Sequence, residues 1–162
     1  MSKKEAPTPR LDIAKIEGSG GAVLAAAWSP DGALVAAGGE DKTIRVWRAD
    51  GSAVKSLDQG GVVHGLAFID ANRIAAVGEG GAIKVWNVAE GKLEKALEGH
   101  QGAVLALAIR PDRSQLLSGG DDKTVRLWEV GGLKELKSFP GHEGPVTAVA
   151  FSPDPKVIVS GS

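Results

Sequence analysis

The sequence predicts an all-β chain built as an array of one four-stranded antiparallel unit. Two observations carry this. A tryptophan closes nearly the same phrase three times, DKTIRVW at Trp47, GAIKVW at Trp86 and DKTVRLW at Trp128, at steps of 39 and 42 residues (86 − 47 and 128 − 86). The pairs Gly99-His100 and Gly141-His142 repeat the 42-residue step (142 − 100). A fixed spacing of this size marks a chain made of repeated supersecondary units. Secondly, short runs rich in Val, Ile, Leu and Ala are broken at regular intervals by Gly, Pro, Asp and Asn. Such runs are strands, and the breaks are the tight turns of an antiparallel sheet.

The elements follow in order. Residues 1–10 are polar and contain Pro7 and Pro9, which predicts a flexible leader. Residues 11–17 then hold a lone strand, Leu11–Ile16, in the slot of an outer strand. Unit one (21–58) places strands at Ala22–Trp28, Leu34–Gly38, Thr43–Arg48 and Ala53–Leu57. Unit two (61–98) repeats them at Val62–Ile69, Arg73–Val77, Ala82–Val88 and Leu93–Leu97.

Unit three (102–140) shows the grammar most clearly. Ala103–Ile109 is almost wholly apolar, as a strand buried on both faces should be. Arg110 to Arg113 make a turn, because Pro111 presets φ and Asp112 can bond its own backbone. Gln115–Gly119 is the second strand and Gly119 to Asp122 the second turn. Lys123–Glu129 alternates polar and apolar, the mark of a half-exposed strand. The more polar Leu133–Phe139 closes the unit. The gradient from apolar to polar puts the first strand at the centre of the array and the fourth at its periphery. A partial fourth unit (144–162) contributes Val146–Ser152 and Lys156–Ser160.

Composition narrows the function classes. With 43% hydrophobic and 24% charged residues, the 162-residue chain has the make-up of a soluble globular domain. Its net charge of −1, from 19 basic and 20 acidic side chains, gives no support to polyanion binding. Aromatics are scarce at 4%, against the stacking platforms of single-strand nucleic-acid binders. The absence of cysteine excludes disulfides, thiolate metal sites and cysteine nucleophiles. MSKKEAPTPR precedes no apolar run of the signal-peptide kind, and no stretch approaches the roughly 18 apolar residues of a spanning helix. The expected location is the cytoplasm, with no membrane partner.

Three local patterns invite other readings. GGEDKT (Gly38–Thr43) and GGDDKT (Gly119–Thr124) look like phosphate loops, but the lysine follows an acid and a strand follows the lysine. A phosphate loop needs GxxxxGK[ST] leading into a helix, so these are hairpin turns. His64, inside the apolar run VVHGLAF, has no ligand set around it in sequence and is read as a channel-lining or core histidine.

With its Gly-His pairs, its Ser29-Pro30-Asp31-Gly32 type of turn (again at Arg110-Pro111-Asp112 and Ser152-Pro153-Asp154) and its closing tryptophans, the chain resembles the WD-repeat β-propeller family from residue 11 to residue 162. The WD dipeptide itself is missing, since Arg48, Asn87 and Glu129 follow the tryptophans. The resemblance implies a partial arc of about 3.5 blades, or a small ring of about four. It implies a structural tetrad at His100, Ser118, Asp122 and Trp128, in which buried ring N–H groups find partners. The same residue types could suggest a hydrolase triad. However, no nucleophile elbow or oxyanion-hole signature accompanies them.

The matching positions are Ser19, Ala37, Asp41 and Trp47 in unit one, and Gln59, Ala76, Gly80 and Trp86 in unit two. In unit four they are His142 and Ser160. Units one and two are therefore expected to be more labile than unit three.

The resemblance further implies a non-catalytic scaffold that binds proteins or peptides through its rims, with no cofactor and no metal. Alternatives are the sensory or targeting part of a longer signalling enzyme, and a nucleic-acid-associated propeller. Glu40, Glu79 and Asp121 stand at equivalent turn positions, which suggests an acidic rim favouring basic partners. The missing blades are expected from the rest of a longer chain or from another copy.

Overall fold

Alternating apolar residues become strands here because each run has a turn at both ends and a neighbouring sheet to cover its apolar face. The structure is a computed structural model and describes residues 18–154 and 156–162. The expected leader (1–10) and leading outer strand (11–17) lie outside the described residues. The first sheet consists of β1 (Val23–Trp28), β2 (Leu34–Gly39), β3 (Thr43–Arg48) and β4 (Ala53–Asp58). The second holds β5 (Val63–Phe68), β6 (Arg73–Gly78), β7 (Ile83–Asn87) and β8 (Lys92–Leu97). The third holds β9 (Val104–Ile109), β10 (Gln115–Gly120), β11 (Thr124–Glu129) and β12 (Lys134–Pro140). A last pair, β13 (Ala148–Phe151) and β14 (Ile158–Gly161), forms a two-stranded sheet.

Strands pair antiparallel in chain order within every sheet. Register is repeated as well as order. Trp128 lies opposite Leu116 and Arg126 opposite Ser118, just as Trp86 lies opposite Ile74 and Lys84 opposite Ala76. The ladder between third and fourth strands shifts immediately before each tryptophan, at Val46/Trp47, Val85/Trp86 and Leu127/Trp128. A bulge of this kind bends the strand and re-aims the side chain that follows.

Glycine ends the second strand where the chain entering the sheet passes close by. A Cβ on Gly39 would stand 1.9 Å from the Ala22 carbonyl oxygen, and one on Gly78 would stand 1.8 Å from that of Val62. Only glycine tolerates such a backbone approach.

The first strands pack side by side, β1 on β5, β5 on β9 and β9 on β13, and so form the inner edge of an arc. Three apolar cores lie between successive sheets. Ala36, Ile44 and Val46 of the first sheet meet Leu66, Phe68 and Trp86 of the second. Ala75, Val77 and Ile83 meet Leu116 and Trp128 of the third. Leu117 and Val125 then meet Val146, Phe151 and Ile158.

The second and third sheets thus each offer one face to the sheet before and the other to the sheet after. Among the described residues the arc is open, and β1 shows the consequence. Trp28 is 56% exposed, whereas Phe68, at the same place in the second sheet, is 1% exposed.

Candidate functional site

The loop after β8 delivers His100 to the third sheet, where four side chains join. The Ser118 hydroxyl lies 2.8 Å from His100 Nε2 and accepts from Trp128 Nε1–H at 2.8 Å. On its other side, His100 Nδ1 lies 2.9 Å from Asp122 Oδ1. A consistent proton assignment has Nδ1–H donating to the carboxylate and the serine hydroxyl donating to Nε2. Asp122 also accepts from the Gln101 backbone N–H at 3.1 Å and the Thr124 hydroxyl at 2.8 Å.

Burial of the imidazole depresses the His100 pKa and outweighs the upward pull of Asp122, which keeps the ring neutral. For Asp122, burial pushes upward, but hydrogen bonds led by that from His100 hold the carboxyl below its usual range. A catalytic serine must be reached by substrate, yet Ser118 is 0% exposed. The arrangement satisfies buried polar groups.

The other units depart from this pattern. In unit one, Asp41 accepts from the backbone N–H of Gly20 (2.8 Å) and Thr43 (3.2 Å) and pairs with Arg45. The Gly20 hydrogen bond leads in holding its pKa down. Ser19 is exposed, Ala37 carries no hydroxyl, and Trp47 is half-buried beside a cavity of about 250 Å³ on the open face.

In unit two the sequence located Gln59 in the histidine slot but not the role it plays there. Gln59 is 3% exposed and its Oε1 accepts from Trp86 Nε1–H at 3.0 Å. It stands in the histidine slot and has an acceptor long enough to reach the indole directly. Counting only His, Ser, Asp and Trp conceals that signal. In unit four, His142 Nε2 lies 2.8 Å from Ser160 Oγ.

Glu40, Glu79 and Asp121 are all exposed, each in the turn between second and third strands. These turns lie against the loops that enter the sheets. The backbone N–H of Glu40 bonds Ala22 O, that of Glu79 bonds Val62 O, and that of Asp121 bonds Ala103 O. Two of the acids also have local work, since Glu40 accepts from Ala22 N–H at 3.2 Å and Glu79 from Val62 N–H at 3.3 Å. Exposed Lys42 and Lys123 follow in units one and three, both with positive φ (63° and 60°). Gly81 holds that place in unit two, so Glu79 has no lysine in its turn.

His64 is half-buried at the bulge of the inner strand β5. Among the described residues, no group of three or more His, Asp or Glu is placed to hold a metal ion. No helix among them is long and apolar enough to cross a membrane.

A sequence profile described as WD domain, G-beta repeat matches residues 12–48, 91–129 and 133–162. The chain is 39% identical over 74 residues to the small ribosomal subunit protein RACK1z of Oryza sativa subsp. japonica, covering 45% of this chain and 22% of that protein. It is 37% identical over 87 residues to the nuclear distribution protein PAC1-1 of Uncinocarpus reesii, covering 51% and 20%. It is 32% identical over 89 residues to the apoptotic protease-activating factor 1 of Mus musculus, covering 54% and 7%. The chain therefore spans less than a quarter of each of these relatives.

Proposed function

The chain belongs to the WD-repeat (G-beta repeat) family, and from that premise we propose that it is a non-catalytic scaffold that docks proteins or peptides on the rim of its arc. The family supplies the general role, because a propeller-type fold does not specify one. The observation that carries the finer reading is the row of exposed acids at equivalent turns, Glu40, Glu79 and Asp121. An acidic rim prefers a segment rich in Lys or Arg and speeds its encounter. Glu79 is the centre of this rim, since its turn lacks the lysine of the other two. The scaffold acts in the cytosol and is completed by further blades, from a longer chain or a second copy, that cover its open faces.

The test is capture of a Lys/Arg-rich peptide by the wild-type chain and by the triple variant E40K/E79K/D121K. Capture should fall by at least about tenfold in the variant and weaken with added salt. Equal capture by both proteins would refute the rim.

A second reading is that this arc is the sensory or targeting part of a longer multidomain protein. The match to the mouse factor favours it, since the matched segment is only 7% of that long chain.

A further inference from the structure

We propose that Lys95 is a latch by which unit two holds the outer hairpin of unit three, β11–β12, closed. A recurring slot underlies it. In each four-stranded sheet a lysine of the fourth strand lies opposite the residue just before the closing tryptophan. Lys55 faces Val46, Lys95 faces Val85 and Lys137 faces Leu127.

Two of these lysines leave their own sheet for the next one, and both arrive at the same place. Lys55 runs over Gly91, where an added Cβ would stand 3.1 Å from Lys55 Cδ and 3.4 Å from its Nζ. Lys95 Nζ donates to the carbonyl oxygen of Leu133 at 2.8 Å. Gly91 and Leu133 are equivalent, since each directly precedes the fourth strand of its sheet and each has a left-handed backbone, with φ of 71° and 47°. Lys137 meets no such turn among the described residues and lies over the Phe139 ring of its own strand at 5.0 Å.

The two turns differ in what they need. Glycine enters the left-handed region freely, and Gly91 also leaves room for the Lys55 stem. Leucine does not. Among the described residues four non-glycines have positive φ, Lys42, Arg113, Lys123 and Leu133, and Leu133 is the only apolar one. A bulky side chain persists in that conformation only where its surroundings hold it. Leu133 is held twice: its side chain packs against the core between the second and third sheets, and its carbonyl receives the Lys95 ammonium. The strand that follows, β12, is exposed along most of its length. A strained turn, a peripheral strand and one charged donor from the neighbouring unit make a point of local opening that Lys95 closes. Leu133 follows β11 whereas Asp121 precedes it, so the latch and the acidic rim lie at opposite ends of the sheet.

The experiment is amide hydrogen exchange on the 162-residue chain at constant pH, comparing residues 129–136 with residues 87–94. K95M keeps an apolar stem and removes the ammonium. It should speed exchange in 129–136 about fivefold and leave 87–94 unchanged. K95R can still donate and should restore most of the protection. K55M should alter 87–94 by less than about twofold, because methionine keeps the stem contact over Gly91. The K95M effect should persist in about 0.5 M salt, since the acceptor is a neutral carbonyl at contact distance. No change in K95M would overturn the latch, as would a K95R variant as open as K95M. An effect abolished by salt would assign it to the field of a surface cation, and equal fraying of both segments to general destabilisation; either result also overturns it. A K55M effect as large as that of K95M would remove the role given to the strained Leu133 and overturn the proposal in turn.

Discussion

The second and third sheets bury the same indole by different means. In the third, Trp128 is held by a relay through Ser118 and His100 to Asp122. In the second, Gln59 alone receives the Trp86 N–H. The family profile passes over residues 49–90, where the structure sets most of a four-stranded sheet. A repeat can therefore lose its characteristic polar residues and keep its architecture. What burial of an indole demands is one acceptor within reach and apolar faces on either side. The relay adds something Gln59 cannot, which is a titratable group. It also ties the entering loop, through Gln101, to the β10–β11 turn.

Truncating either tryptophan is the largest perturbation of this comparison. We expect W86A and W128A each to lower the unfolding free energy by about 3–5 kcal/mol, read from denaturant midpoints by circular dichroism. Similar losses would support the equivalence of the two sheets. A far smaller loss at Trp86 would break it.

The acceptors come next. Q59A orphans one buried N–H, at a cost of about 1–3 kcal/mol. S118A should cost more than Q59A, because it removes the partner of His100 as well as that of Trp128. The reverse order in the same denaturant assay would show that the relay is not the more committed network.

Acid should separate the sheets most subtly. Burial lowers the His100 pKa below its ordinary 6.5 in the folded chain, so the unfolded state takes up a proton first. Its stabilising contribution is fully present above 6.5 and is lost as pH falls through the depressed folded value. Asp122, also lowered, contributes above its ordinary 3.8 and loses its share only in stronger acid. Amide protection factors, which correct for the slower intrinsic exchange in acid, should therefore fall between pH 7 and about pH 5.5 in β10 and β11 before β6 and β7. H100Q, which imports the solution used by Gln59, should remove the difference. A uniform loss of protection across both sheets would contradict this assignment.

On the grounds of their polar residues, the sequence predicts units one and two to be more labile than unit three. Packing separates the first two. β6 and β7 are buried along nearly their whole length between two sheets, while β1 is largely exposed. The labile unit expected from structure is the first, whose Trp28 and Trp47 face the open side.

Legibility divided along physical lines. The repeat period, the turns and the slots of His100, Ser118, Asp122 and Trp128 could be read because each rests on local spacing or on one short phrase. The slot of Gln59 could be read too, but not its burial or its bond to Trp86, since an isolated glutamine after Leu57-Asp58 carries no local signature of either. Nor could the close pairing of Arg45 with Asp41 in a unit without the histidine, since the equivalent Arg126 stands 3.7 Å from Asp122 where His100 is present.

By itself the sequence determined the antiparallel order of the strands, their turns and the alternation of their faces. Those follow from backbone sterics and from a period of two, which act over a few residues. Only the tertiary structure decided which faces are covered. Phe68 and Trp28 occupy the same slot of the same unit, and one is buried while the other is exposed because a sheet stands before the second unit and none of the described residues stands before the first. Burial is a property of the neighbour, and the neighbour is set by assembly.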